Sequence, residues 1–94
     1  MAGEVVNNES KSQYELSTGS GTALAAYQLD GDTIRLTHTE VPEETEGQGV
    51  GTRLVAGALD DVRARGLKVV PLCSFVRHYI DTHPDAQDLV SANS

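Results

Sequence analysis

The hydrophobic period of this sequence changes near residue 50, and that change limits the folds the chain can adopt. From Val50 to Val62, apolar residues recur every three or four positions, as they do on one face of an α-helix. Arg63 and Arg65 follow, where cations suit the end of a helix, and Gly66 stands where a helix-ending glycine belongs. The pattern predicts a helix over 50–65.

The residues before this helix have the alternating pattern that is typical of β-strands. We predict an antiparallel meander of about three strands over 12–41, with an Asp-Gly hairpin turn at 30–32. If no bulge interrupts the third strand, the period of two places four of its residues on one face: Ile34, Leu36, His38 and Glu40.

The pattern after the helix completes the fold prediction. A short buried strand is predicted over 67–73, and a second helix over 74–83 with Ser74 as its N-cap. A strand–helix–strand unit joins parallel strands by a right-handed crossover. We therefore predict an α/β (α+β) fold, a mixed sheet with antiparallel N-terminal strands and a strand–helix–strand–helix C-terminal half. The 94 residues suit a single domain over 1–94, with residues 1–10 frayed.

Composition and charge argue against several classes of protein. The formal net charge of −7 argues against a nucleic-acid partner, since neutralising phosphates needs clustered Lys and Arg. Cys73 is the only cysteine, which excludes an intramolecular disulfide and a cysteine-rich zinc site. No apolar run approaches the roughly 20 residues that span a bilayer, and no secretory pattern is present. We expect a cytoplasmic protein without a membrane partner, as a monomer or weak dimer.

The stretch "EGQGVGT" at 46–52 lies between the predicted strands and the first helix. Unpaired N–H groups and the helix dipole make such a helix start a site for anions, best suited to phosphate. Glycine there leaves room for oxygen atoms to reach the amides. The alternative is a plain tight turn. Two phosphate motifs do not fit, because the P-loop lysine and the third glycine of the dinucleotide fingerprint are missing.

A third motif fits. "VPEETEGQGVG" resembles the pyrophosphate loop of the GNAT acetyltransferase superfamily, Arg/Gln-x-x-Gly-x-Gly/Ala placed five residues after a strand-ending valine, here Val41. Glu46 departs from the pattern, because it occupies the Arg/Gln position. Further along, "VVPLCSFVRHYI" is similar to the very small GNAT-like proteins that have a cysteine near the active site.

The resemblance implies a binding site for acetyl-CoA and no metal. The strands before the loop and after the first helix would splay apart, and the backbone of Glu40 and Val41 would hold the pantetheine arm between them. The pyrophosphate would be held by the backbone amides of five residues: Gln48, Gly49, Val50, Gly51 and Thr52.

The activity implied is an N-acetyltransferase that moves an acetyl group from acetyl-CoA to an amine. The acceptor would be a small molecule, a protein lysine or an N-terminus, and the acidic balance of the chain suits a cationic one. The main alternative is a non-catalytic acetyl-CoA-binding or protein-interaction domain that retains the GNAT core. A third reading is a structural adaptor without a cofactor.

Three residues are candidates for catalysis. Cys73 would carry the acetyl group as a nucleophile or protonate the departing thiolate, with its pKa lowered by the following helix and by His38; alternatively it is a thiol that fills the core. Either His38 or Glu40 would deprotonate the incoming amine, and the alternative for both is a structural role.

Overall fold

The computed structural model describes residues 4–45 and 49–91. The elements follow in the order β1 (Val6–Asn8), a 3-10 turn (Glu9–Lys11), β2 (Gln13–Thr18), β3 (Gly21–Asp30), β4 (Thr33–Glu40), a 3-10 turn (Glu43–Thr45), α1 (Val50–Ala64), β5 (Lys68–Pro71), α2 (Ser74–Thr82) and a 3-10 helix (Pro84–Leu89).

The strands form one mixed sheet in the order β1-β2-β3-β4-β5. Neighbouring strands are antiparallel except for β4 and β5, which run parallel and are joined through α1. Ile34 lies beside Val69 in the parallel pair. The predicted α/β (α+β) fold and mixed sheet are confirmed.

Residues 4–10 are more ordered than the sequence indicates. We expect residues 1–10 to be frayed, but Val6–Asn8 pairs with β2 as an edge strand; residues 1–3 lie outside the described residues. The Tyr27 hydroxyl donates a hydrogen bond of 2.7 Å to Asn7 Oδ1. The polar "VNN" has no alternation of its own, so its strand conformation comes from pairing with β2, a contact that local sequence does not show.

The hydrophobic core lies between one face of the sheet and the helices. The sheet contributes side chains such as Leu16, Ile34 and Leu36, each 1% exposed, and α1 contributes Leu54 and Val62, both 0% exposed. On the other face of the sheet the side chains are partly or fully exposed, as at Glu15, Gln28 and Arg35. The helices therefore cover one face only.

A buried hydroxyl ties the end of α1 to the sheet. Tyr14 is 1% exposed and donates a hydrogen bond of 2.7 Å to Asp61 Oδ2. Arg65 Nε donates to the same oxygen at 2.7 Å, and Arg65 Nη1 donates to Glu9. Burial, together with the hydrogen bond and charge of Asp61, raises the pKa of Tyr14 well above its usual range, so the phenol is a neutral donor.

A bulge in β4 changes which residues face the core. Ala26 of β3 pairs with His38, but the next residue, Tyr27, pairs with Leu36, so Thr37 is an extra residue without a partner in the register. Beyond the bulge the side chains exchange faces, because they alternate along a strand.

The bulge overturns the prediction that four residues of β4 share one face. Ile34 and Leu36 point into the core, whereas His38 and Glu40 lie on the opposite, exposed face. Thr39 takes the core side, beside Ala25.

Candidate active site between β4 and β5

The two parallel strands separate halfway along β4. Their pairing ends at Leu36 and Pro71, while β4 continues beside β3 as far as Glu40. At the point of separation the Leu36 carbonyl accepts two hydrogen bonds, from the N–H groups of Leu72 at 3.1 Å and Cys73 at 3.0 Å. The edge of β4 beyond Leu36 is therefore not paired with β5, and a gap opens between β4 and the start of α2.

Cys73 lies at the closed end of this gap. It is partly buried, and its Sγ lies 3.2 Å from the Thr39 hydroxyl oxygen. Cys73 is itself the N-cap of α2, with extended backbone angles, so the N-cap predicted at Ser74 is wrong by one residue. The sulfur thus stands at the positive end of the helix dipole.

The surroundings of the sulfur favour its ionised form. Partial burial acts to raise the pKa of Cys73, but the hydrogen bond from Thr39 outweighs it, together with the N–H groups of Val76, Phe75 and Thr39. The pKa of Cys73 therefore lies below its usual value. The N–H groups of α2 act on the sulfur without closing a hydrogen bond of normal cap geometry, so Thr39 is its one direct side-chain partner among the described residues.

His38 and Glu40 form a pair on the other face of β4. His38 Nε2 and Glu40 Oε2 are 3.0 Å apart, and the two side chains are 60% and 63% exposed. They share a strand face, as predicted. Thr39, which lies between them in the sequence, points to the opposite side and contacts the thiol. We expected His38 to help lower the pKa of Cys73, but the structure gives this role to Thr39.

Sequence reasoning missed Thr39 because nothing in the sequence marks the bulge. If β4 contained the same residues without a bulge, the period of two would turn His38 toward the core and Thr39 toward solvent.

The start of α1 borders the gap and offers backbone donors. The first N–H groups of a helix have no partner within it, and the N-cap Gly49 has no side chain to supply one. Gly49 has a φ of 78°, a left-handed conformation that favours glycine, and a Cβ added there would meet nothing within 4 Å. Of the other expected pyrophosphate contacts, Val50, Gly51 and Thr52 form the first turn of α1, whereas Gln48 lies outside the described residues, as does Glu46.

The arm predicted to lie along β4 has an open edge there. The N–H of Thr39 acts on the sulfur of Cys73, so it points into the gap. Successive peptide groups of a strand point to opposite edges, which turns the N–H of Glu40 toward β3. Val41 follows directly after the last residue of β4. Val41 is partly buried and packs against the core.

Residue 51 has no room for a side chain, and the sequence did not indicate the reason. A Cβ added at Gly51 would lie 2.7 Å from Cζ of Phe75, so the aromatic ring occupies the space that a side chain would need. Gly51 is buried, while Phe75 is 41% exposed. The contact brings the N-termini of α1 and α2 together beside the gap.

This contact predicts a measurable coupling between the two residues. Alanine is favoured over glycine in a helix by about 1 kcal/mol, but at residue 51 it must displace the Phe75 ring. We expect Gly51→Ala to be about 1 kcal/mol more favourable in a Phe75→Ala background than in the wild type, as measured by a double-mutant cycle in urea. Equal effects of Gly51→Ala in both backgrounds would contradict the steric account.

In residues 4–45 and 49–91, no group of three or more His, Cys, Asp or Glu side chains is placed to hold a metal ion. In the same part of the chain, no helix has the length and apolarity needed to cross a membrane.

A mixed sheet whose parallel strands separate beside two helix N-termini is the GNAT-like fold. A solution NMR structure of a GCN5-like protein from Staphylococcus aureus has this fold, with a TM-score of 0.72 and 27% sequence identity over 94% of this chain and 87% of that one. Residues 13–89 match the family model of the GCN5-related N-acetyltransferases, and the chain belongs to this family. The resemblance seen in the sequence is thereby confirmed.

Relatives in animals are similar over a shorter range. Protein NATD1 of Xenopus tropicalis is 34% identical over 68 residues, which is 71% of this chain and 62% of that protein. The human protein NATD1 is 35% identical over 68 residues, 71% of this chain and 60% of that protein. The matched part thus spans about three fifths of these relatives.

Proposed function

We propose that this protein transfers an acetyl group from acetyl-CoA to an amine. The observation that carries the proposal is the gap between β4 and β5, which has the Cys73 thiol at its closed end and the N–H groups of α1 at its border. Family membership supports the same activity.

The residues at the gap suit an acyl-CoA. The backbone of Val41, directly after β4, would pair with the amides of the pantetheine arm, much as an added strand would. The N–H groups of Gly49, Val50, Gly51 and Thr52 would hold the pyrophosphate, with Gln48 expected to contribute as well. The open space around Gly49 leaves room for phosphate oxygens to approach the backbone.

The exposed pair on β4 would serve the acceptor. Acetyl-CoA supplies a thioester whose carbonyl carbon is open to attack by a neutral amine, but an ammonium ion cannot attack. With its proton on Nε2, His38 donates to Glu40 and leaves Nδ1 free to take a proton from the amine. In this assignment Glu40 holds the imidazole in the useful tautomer.

Cys73 would act at the acyl carbon or at the departing sulfur. As a nucleophile, its thiolate would take the acetyl group while the bond to the CoA sulfur breaks, and the amine would then receive the acetyl group and regenerate the thiolate. As an acid, its thiol would give a proton to the CoA thiolate. The lowered pKa favours the first role, because it increases the share of the nucleophilic thiolate.

The acceptor that we propose is a cationic amine, such as a lysine side chain, an N-terminus or a polyamine. The formal net charge of −7 favours such an acceptor by attracting it to the protein.

Gly49→Val tests the cofactor site. A valine disfavours a φ of 78° and places a side chain beside the N–H groups of α1, so we expect acetyl-CoA to bind at least about tenfold more weakly, which corresponds to about 1.4 kcal/mol, in isothermal titration calorimetry. Gly31→Val is the matched control. Gly31 also has a positive φ, 62°, and open space around it, but it lies in the turn between β3 and β4. We expect it to lose stability while keeping its affinity for acetyl-CoA.

The outcomes separate the possible functions. Equal affinity of wild type and Gly49→Val would show that the loop does not hold the cofactor. Binding of acetyl-CoA without release of CoA thiol in the presence of a panel of amines would favour a binding domain over an enzyme. No binding by the wild type would remove the proposed function altogether.

A further inference from the structure

We propose that Thr39 is a positioning residue that directs the sulfur of Cys73 into the gap and stabilises its ionised form over its neutral form. The inference deepens the proposed function, on which its meaning for catalysis rests, but the state of the thiol can be measured without any cofactor.

The geometry assigns the hydroxyl of Thr39 to this sulfur, because its oxygen lies 3.2 Å from Sγ. The backbone N–H of Thr39 also acts to lower the pKa of Cys73. A hydroxyl can donate to a thiolate or accept from a thiol, so it can follow the sulfur through both protonation states. No other hydrogen bond of the Thr39 side chain is found among the described residues, which leaves the hydroxyl committed to Cys73.

The charged groups around the sulfur are engaged elsewhere. On β4, His38 and Glu40 pair with each other on the opposite face. On α2, Arg77 Nη2 donates to the carbonyl of Pro71 at the end of β5. Hydrogen bonds and the dipole of α2, rather than a counter-ion, therefore account for the preference of the sulfur for its ionised form.

The bulge makes this arrangement possible. Thr37 is the extra residue, and its own hydroxyl donates to the Ala26 carbonyl at 3.3 Å rather than to the sulfur. Thr37 and Thr39 are both partly buried, and they lie two residues apart on the same strand. The chain thus contains a matched pair of threonines, of which one contacts the thiol and the other does not.

The test uses the full chain and its single cysteine. Because Cys73 is the only cysteine, the rate of alkylation by iodoacetamide as a function of pH reports on this thiol alone. A hydrogen bond to a charged group typically changes an equilibrium constant by about tenfold or more, so we expect Thr39→Val to move the midpoint of the alkylation profile up by about one pH unit or more. Thr39→Ser should restore the wild-type profile, and Thr37→Val should leave it unchanged.

Two outcomes would overturn the inference. One is a Thr39→Val profile that superimposes on that of the wild type; the other is an equal displacement in Thr37→Val. Circular dichroism checks that each variant folds, and Thr39→Ala, which also removes the hydroxyl, keeps the inference testable if valine unfolds the chain. Calorimetry with acetyl-CoA on the same proteins keeps the two proposals apart. A wild type that binds no acetyl-CoA defeats the proposed function, whereas an unmoved thiol titration defeats only the role of Thr39.

Discussion

Replacing Leu54 with alanine is expected to lower the free energy of unfolding by about 3–5 kcal/mol. Leu54 lies in the middle of α1, is 0% exposed, and belongs to the cluster that joins the helices to the sheet. Truncation removes buried methyl groups and leaves a cavity in a close-packed region. A domain of this size has only about 5–15 kcal/mol of stability in total, so urea denaturation should show a large fall in the midpoint.

Leu29→Ala is the matched control for this prediction. Leu29 lies near the end of β3 and is 59% exposed, so the same substitution should change the stability by less than about 1 kcal/mol. If the two variants lost equal stability, the core would not be centred on α1.

Cys73→Ala is expected to lower the turnover of acetyl-CoA by about a hundredfold or more, since positioned catalytic groups typically contribute that much. The affinity for acetyl-CoA should change little, because the proposed binding groups are backbone amides of other residues. The measurement is CoA thiol release with an amine acceptor, in parallel with calorimetry.

A second variant distinguishes the chemistry of Cys73 from its size. Cys73→Ser keeps a polar atom of similar position, but a hydroxyl is far less ionised than a thiol, so we expect nearly the same loss of turnover. After incubation with acetyl-CoA alone, intact-protein mass spectrometry should show one added acetyl group on the wild type and none on either variant. Full turnover in Cys73→Ala would show that Cys73 is a thiol that fills the core and takes no part in the reaction.

The helices and the three central strands could be predicted because local pattern and tertiary structure agree there. In α1, Val50, Leu54, Val55, Ala58, Leu59 and Val62 recur at helical spacing and are all buried. The helix ends at Ala64, one residue before the predicted end, and Gly66 follows with a φ of 70°. A linear motif also led to Cys73, whose Sγ lies 3.2 Å from the Thr39 hydroxyl oxygen near the end of the β4–β5 pairing, while its role stays a prediction.

The features that sequence did not show depend on pairing between distant residues. Strand β1 exists because β2 offers it an edge, and the polar "VNN" gives no sign of this. The bulge at Thr37 is visible only in the register with Ala26 and Tyr27. Thr39 could not be recognised before the bulge was known, since the period of two assigned the core side to His38. The contact of Phe75 with Gly51 likewise joins two helices that are separate in the sequence.

The extra residue at Thr37 also has a consequence for changes in chain length. One residue inserted between Leu36 and Thr39, with the bulge kept, would exchange the two sides of β4, directing the imidazole to the thiol and the threonine to solvent. Deletion of Thr37 would instead remove the bulge, and plain alternation from Leu36 would keep both side chains on their present sides. A designer who transplants this gap into another sheet would therefore have to match the number of residues after Leu36 to the presence or absence of the bulge before choosing any side chain.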